Sequence, residues 1–67
     1  GKDNELKQTA ALLAERARTT GETQEIGPLN PYARRLVHLV VAEDPTVSSE
    51  SVGDAFLKTV LISANES

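Results

Sequence analysis

The sequence predicts a small α/β fold of the two-layer α+β type, with a three-stranded sheet packed against two helices in the order α-β-α-β-β. Three observations predict it: an apolar helical stripe near the start, an Asn-Pro pair before a second stripe, and β-branched residues beyond position 45. With 67 residues the chain is expected to form a single domain, residues 1–67. Its core should be thin, because so short a chain buries only about 60% of its unfolded surface.

The first helix is predicted from apolar side chains that recur at helical spacing. They fall at i, i+4, i+7, i+8 and i+11, which places them on one face of a helix. Asp3 or Asn4 is expected to cap its start, and Gly21 to end it in a left-handed conformation. The stripe consists of Leu6, Ala10, Leu13, Ala14 and Ala17.

A short strand is expected over residues 23–26, followed by the second helix. Asn30 and Pro31 are typical of an N-cap followed by proline at the first helical position. We expect the helix over residues 32–44, because Pro45 prevents its extension.

The last third of the chain predicts a pair of strands. Residues 46–52 and 56–63 are rich in β-branched side chains, and Gly53-Asp54 suits a two-residue hairpin with glycine at the first central position. The polar end, residues 63–67, is expected to fray. Because the chain opens on glycine rather than methionine, we expect it to be a piece of a longer protein.

Composition excludes several function classes. The chain has no cysteine and one histidine, so disulfides, thiolate zinc sites and multi-histidine metal sites are ruled out. One tyrosine and one phenylalanine do not make a broad stacking platform, and the longest apolar run falls far short of the ~20 residues of a membrane span. The net charge of −3 argues against a strongly basic nucleic-acid binder. Absence of cysteine is compatible with the cytoplasm, where we expect the protein.

The second helix carries the candidate chemistry. Arg34, Arg35 and His38 share an arc of roughly 100° that contains no acid. Two guanidinium groups can bind a phosphate in bidentate fashion, and the imidazole can add a donor, so the pattern indicates a compact anion site. The arc lies opposite the face expected to meet the core, which consists of Ala33, Leu36, Val37, Val40 and Val41.

The same spacing leaves other interpretations open. The arc is also typical of a solvated helix face, and His38 could instead be half-buried against the sheet with a ring nitrogen bonded to a backbone carbonyl. Tyr32 is expected to pack against the first helix, with base stacking as its alternative.

Two further groups of residues have side chains of the types used in catalysis or metal binding. Residues 48–51 contain serines that, with His38 and Asp44, supply the residue types of a hydrolase triad, but no nucleophile elbow accompanies them. We therefore predict no catalysis and no small-molecule substrate. The carboxylates of residues 43–54 fit no calcium loop, and we expect no metal or other cofactor.

The run from Leu29 to His38, LNPYARRLVH, strongly resembles the signature of the R-three-H domain. That family is named for an arginine and a histidine separated by three residues, matched here by Arg34 and His38. Within that family, the sequence most resembles the type of R-three-H domain that follows a KH domain in the bacterial Jag (SpoIIIJ-associated) proteins. The likeness continues through residues 47–54 and 60–62. The resemblance implies an α/β fold with a three-stranded sheet and binding of single-stranded nucleic acid, chiefly RNA.

The sequence departs from these relatives at several positions. Two glutamates are missing, a Pro-Tyr pair is replaced, and an Arg-Arg pair on the last strand is replaced by a lysine and a threonine. The loss of an arginine reduces the basic surface, because lysine keeps the charge without the planar fork. The departures are Ala33, Val52, Phe56-Leu57 and Lys58-Thr59.

Together these features predict a non-catalytic module that binds single-stranded RNA, in preference to DNA, through its phosphates. Arg34, Arg35 and His38 would carry the contact, with Lys58 as an auxiliary, and sequence readout would be slight. A KH domain in the parent chain would raise the affinity through effective concentration. The alternative is a protein-interaction or structural module on the same fold with a weakened basic face, which the net charge of −3 favours.

Overall fold

The computed structural model describes residues 2–65 and has the predicted element order α-β-α-β-β. The three strands form one antiparallel sheet in the order β1-β3-β2, so the last strand lies in the middle. Both helices pack on the same face of this sheet, which makes a two-layer α+β fold. The elements are α1 (Lys2–Thr20), β1 (Gln24–Leu29), α2 (Pro31–Ala42), β2 (Val47–Val52) and β3 (Lys58–Ala64).

Small side chains build the core between the two layers. Helix α1 contributes only alanines to the fully packed part, so its backbone approaches its neighbours closely. Val60 and Ile62 alternate along β3 toward the helices and are fully buried, as the period of two in a strand requires. The buried set is Ala10, Ala14, Ala17, Val37, Val41, Val47, Val60 and Ile62.

The other face of the sheet carries acidic side chains. Leu61 pairs with Glu25 on β1 and with Glu50 on β2, so the three residues form a row across the sheet. Because Leu61 lies between Val60 and Ile62 in the strand, this row projects away from the helices. Both glutamates are exposed. The uncovered face of the sheet is therefore negative.

Helix α1 begins earlier than the sequence predicted and ends where expected. Asp3 and Asn4 lie inside the helix, so the prediction that either caps its start is wrong. Asp3 instead accepts a hydrogen bond from Tyr32. At the other end Gly21 has φ of 76° and donates its N–H to the Ala17 carbonyl at 2.9 Å, which confirms the left-handed stop.

Strand β1 continues through Leu29, beyond the predicted end at residue 26. A bulge makes this possible, because the register against β3 shifts between Ile26 and Leu29. Gly27 lies in the bulge with φ of 128°, and a Cβ there would stand 3.1 Å from the Lys58 carbonyl oxygen. The glycine thus allows β1 and β3 to remain paired where local sequence predicted a break.

Helix α2 begins as the sequence predicted. The Asn30 side-chain oxygen accepts the N–H of Ala33 at 2.8 Å, and its carbonyl accepts the N–H of Arg34 at 3.0 Å. Pro31 occupies the first turn, where no intrahelical partner for an N–H is needed. The local sequence therefore fixes the start of the helix that carries the candidate site.

Helix α2 ends at Ala42, two residues before the predicted end, because Asp44 forms a turn instead. The Asp44 carboxylate accepts hydrogen bonds from the backbone N–H of Thr46 at 2.8 Å and from its hydroxyl at 2.6 Å. Its other oxygen accepts from Arg18 at 2.9 Å. These contacts lower the pKa of Asp44, chiefly through the Thr46 hydroxyl, then through the Thr46 N–H, with Arg18 assisting.

The connection between β2 and β3 differs from the prediction. Residues 53–57 form a loop, so the two-residue hairpin at Gly53-Asp54 is wrong. The last cross-strand pair is Val52 with Thr59, and Phe56, expected to begin a strand, lies in the loop. A tertiary contact accompanies the wider loop, since the Phe56 carbonyl accepts a hydrogen bond from Arg34.

Residues 63–65, which were expected to fray, are hydrogen-bonded in the structure. Ser63 and Ala64 are paired in β3, and Asn65 donates its backbone N–H to the Thr46 carbonyl at 2.8 Å and its side-chain amide to the Pro45 carbonyl at 3.0 Å. Residues 66–67 of the predicted tail lie outside the described residues. Across residues 2–65, no helix is long and apolar enough to cross a membrane.

Removal of the α2 cap should destabilise the domain. We expect Asn30→Ala to lower the free energy of unfolding by about 0.5–2 kcal/mol, because the Ala33 N–H loses its acceptor. Asn30→Asp keeps a side-chain oxygen and should stay close to the parent. Urea denaturation of the three proteins measures this, and equal midpoints for Asn30→Ala and the parent would contradict it.

The Asp44 turn should give a pH-dependent contribution to stability. Its folded pKa lies below the ordinary value of 3.8, so the contribution is present above pH 3.8 and disappears as the pH falls through the folded value. We expect Asp44→Asn to lower the thermal midpoint at neutral pH, and the gap to the parent to close as the pH falls below 3.8 and through the folded pKa of Asp44. Asp54→Asn, in an exposed loop, is the control. A gap that is constant with pH would contradict the assignment.

Candidate functional site

The two helices run side by side in the same direction. Near their starts the Tyr32 hydroxyl donates to the Asp3 carboxylate at 2.8 Å, and near their ends Arg18 donates to Asp44 at 2.9 Å. The contact between Arg34 and the loop of residues 53–57 lies at the starting end. Both helix N-termini, which carry partial positive charge, are therefore at the same end of the domain as this loop.

An open depression of about 310 Å³ lies at this end, between the first turns of α2 and the end of β2. It brings together three of the four predicted site residues, Arg34, Arg35 and His38. Ser51 also lines it, although the sequence analysis did not assign this serine to the site. The lining residues are Pro31, Arg34, Arg35, His38 and Ser51.

Arg34 is held in place by the loop. Its side chain is half-buried, and its Nη2 donates to the Phe56 carbonyl oxygen at 3.3 Å. Its Nε is buried and has no hydrogen-bond partner within residues 2–65. A buried donor without a partner is unfavourable by about 1–3 kcal/mol.

The cations that line the depression are not neutralised by neighbouring acids. In the described part of the chain the one ion pair joins Arg18 to Asp44, at the far end of the helices. Arg35 is exposed on the first turns of α2. The depression therefore combines two arginines with the positive end of a helix.

The imidazole ring of His38, a residue of helix α2, contacts strand β2. Its Nδ1 shares a hydrogen bond with the Ser49 hydroxyl, and its Nε2 shares one with the Ser51 hydroxyl at 2.9 Å. The ring is half-buried against the sheet, in agreement with one of the interpretations that the sequence left open. Its hydrogen-bond partners are serine hydroxyls, however, and not a backbone carbonyl. Because both ring nitrogens are engaged, the imidazole has no spare donor in this structure.

Strand geometry explains why two serines meet one histidine. Ser49 and Ser51 pair with Ile62 and Val60, whose side chains face the helices, so both hydroxyls also face the helices. Spacing at i and i+2 in a predicted strand could have grouped the serines. It could not have shown which helix residue they meet.

A family model, that of the R-three-H domain, matches residues 4–63. The chain belongs to the R-three-H domain family. R-three-H domains are nucleic-acid-binding modules rather than enzymes, and Arg34 and His38 stand at the two positions that give the family its name. A search of the curated proteins found no match for this chain.

Lys58, predicted as an auxiliary contact of this R-three-H domain, lies outside the lining of the depression. It begins β3 and faces the helix side, since it shares the parity of Val60 and Ile62 in the strand. It is half-buried beside Gly53. Its ammonium group is carried on a flexible stem.

Tyr32 contacts the first helix, as predicted. Its hydroxyl donates to Asp3, and this hydrogen bond, with the nearby negative charge, raises the pKa of Tyr32. The ring remains 60% exposed. Tyr32 thus links the two helix starts of the R-three-H domain.

Of the residue types of a hydrolase triad, the serines and His38 meet, but Asp44 does not join them. Asp44 bonds to Thr46 and Arg18 at the opposite end of α2 from the depression. Among residues 2–65, no three acidic, histidine or cysteine side chains cluster in a way that could hold a metal ion.

The His38 contacts should be detectable as a coupling energy. In a double-mutant cycle, His38→Ala and Ser49→Ala should couple by about 0.5–1.5 kcal/mol, because each removes the same hydrogen bond. Ser48, whose side chain projects from the other face of β2, supplies the control pair with His38 and should be additive. Denaturation of the variants measures both cycles. Additivity of His38 with Ser49 would contradict the contact.

Proposed function

We propose that this R-three-H domain binds single-stranded nucleic acid, RNA in preference to DNA, by holding backbone phosphates in the depression at the start of α2. The observation that carries the proposal is the pair Arg34 and Arg35, which line this depression without an acidic partner in the described residues. Phosphate is the group that planar guanidinium forks match best.

Arg34 is the central contact in this proposal. The Phe56 carbonyl holds its Nη2, so less side-chain freedom remains to be lost when a phosphate binds. Arg35 is exposed and adds a second fork from the edge of the depression. The positive end of α2 adds its own attraction for a phosphate to that of both arginines.

His38 and Ser51 act as a pair. When His38 Nε2 carries a proton, it donates to the Ser51 oxygen, and the Ser51 hydroxyl proton is then free to point toward a phosphate. A protonated imidazole keeps this arrangement, since Ser49 can accept from Nδ1. His38 would therefore act through the serine.

Lys58 contributes as an auxiliary charge from the start of β3. It lies outside the lining of the depression, so its contact with the nucleic acid would depend on a flexible side chain. The preference for RNA, a neighbouring KH domain and a cytoplasmic location belong to the same proposal. The first two rest on the likeness of residues 29–38 to the Jag-type signature, and the location rests on the absence of cysteine.

Salt titration tests the proposal directly. With two to four phosphates neutralised, log affinity for a labelled single strand should fall against log salt with a slope of about −1.5 to −3. RNA and DNA oligonucleotides of one sequence should be compared, and RNA should bind more tightly. A slope near zero, or no binding at low salt, would overturn the proposal and favour the protein-interaction alternative.

Substitution of one cationic residue at a time should show how much each contributes to oligonucleotide binding. We expect Arg34→Ala to weaken oligonucleotide binding by about 1.5–3 kcal/mol, because a held, charge-assisted contact is lost. Lys58→Ala should lose only about 0–1 kcal/mol, the range of an exposed charge, and Arg35→Ala should fall between them. Arg16→Ala, near the far end of α1, is the matched control.

The comparison requires folded proteins. Unchanged thermal midpoints should be shown first, and none of the four side chains belongs to the buried core. If Lys58→Ala lost more binding than Arg34→Ala, the strand rather than the helix would carry the site.

A further inference from the structure

We propose that Phe56 provides a stacking surface for one nucleobase of the strand whose phosphates bind at Arg34 and Arg35. This inference rests on the proposed function and deepens it, because it adds a base contact to a site otherwise made of phosphate contacts. The sequence analysis assigned Phe56 to a strand and gave it no part in the site.

The exposure of Phe56 is the first observation. At 71% it is the most exposed of the large hydrophobic side chains described, and Leu57 beside it is 50% exposed. Burial of a phenylalanine stabilises a fold, and this loop leaves that contribution unused. The fold therefore gives no stability reason for an aromatic ring at this position.

The contact with Arg34 is the second observation. The Phe56 carbonyl oxygen accepts from Arg34 Nη2, so the residue that presents the ring also holds the phosphate-binding guanidinium. Within a nucleotide, phosphate and base are separated by a single sugar. A strand whose phosphate meets Arg34 therefore brings a base close to residue 56.

The hydroxyl group of the other aromatic residue of the chain already has a hydrogen-bond partner. Tyr32 donates its hydroxyl to Asp3 and links the two helices. The Phe56 ring has no polar atom to satisfy. Every base offers a π-face, so stacking on a phenylalanine tolerates any sequence.

The charges beside the loop favour a nucleic acid over a protein as the occupant. Arg34 and Arg35 line the adjacent depression and Lys58 follows the loop directly, whereas Asp54 is the acid within the loop itself. The surplus is positive next to an exposed ring. Aromatic rings beside a cationic groove are the combination with which proteins bind single strands.

An abasic strand separates stacking from phosphate binding. We expect Phe56→Ala to weaken binding of a single-stranded oligonucleotide about fivefold or more, and to leave binding of an abasic strand of equal length unchanged. Phe56→Leu keeps an apolar side chain without the ring and should lose as much as alanine. Leu57→Ala and Leu12→Ala, at exposed leucines in the loop and on α1, are the controls.

A fluorescent variant gives a second, independent readout. The chain contains no tryptophan, so Phe56→Trp introduces a single reporter. Its emission should be quenched by the normal strand and not by the abasic one, and its affinity should equal or exceed that of the parent.

The outcomes of these experiments distinguish the stacking inference from the proposed binding of phosphates. If the parent shows no salt-dependent binding of either strand, the proposed function fails and the inference with it. If the parent binds but Phe56→Ala binds equally well, stacking is overturned and the phosphate site stands. If Phe56→Ala loses the same affinity on the abasic strand, the residue acts by holding Arg34, and stacking is again overturned.

Discussion

The geometry of the candidate site follows from the contacts that hold helix α2 against the rest of the domain. Its start is fixed by the Asn30 cap, its middle by the two serine contacts of His38, and its end by the Asp44 turn with the Arg18 ion pair. Because a short helix is rigid, these contacts determine where Arg34 points. The geometry of the candidate site therefore depends on contacts along the whole length of α2.

Polar contacts matter here because the core is thin. Helix α1 offers alanines at 10, 14 and 17, which allow close packing but bury little apolar surface. Side-chain hydrogen bonds at the rim of such a core add specificity that apolar packing alone supplies weakly. The histidine between two serines has this role, and it lies next to the depression that the arginines line.

The features that could be read from sequence are those set by neighbouring residues. The cap at Asn30, the left-handed stop at Gly21 and the element order depend on local chemistry, and the structure confirms them. The loop of residues 53–57 was missed, because strand pairing and the bond from Arg34 decide where β3 begins. Ser51 was missed for a similar reason: its importance comes from a helix residue that sequence spacing does not place opposite it.

The acidic row Glu25–Leu61–Glu50 on the uncovered sheet face gives the domain an electrical polarity. The molecule is about 15 Å across its shortest dimension, well beyond the screening length of about 8 Å at physiological salt, so the charge on this face is largely screened from the opposite one. The negative face disfavours contact with a polyanion, whereas the depression lined by Arg34 and Arg35 favours it. A strand held at the depression would therefore find no positive surface to follow onto the uncovered face of the sheet.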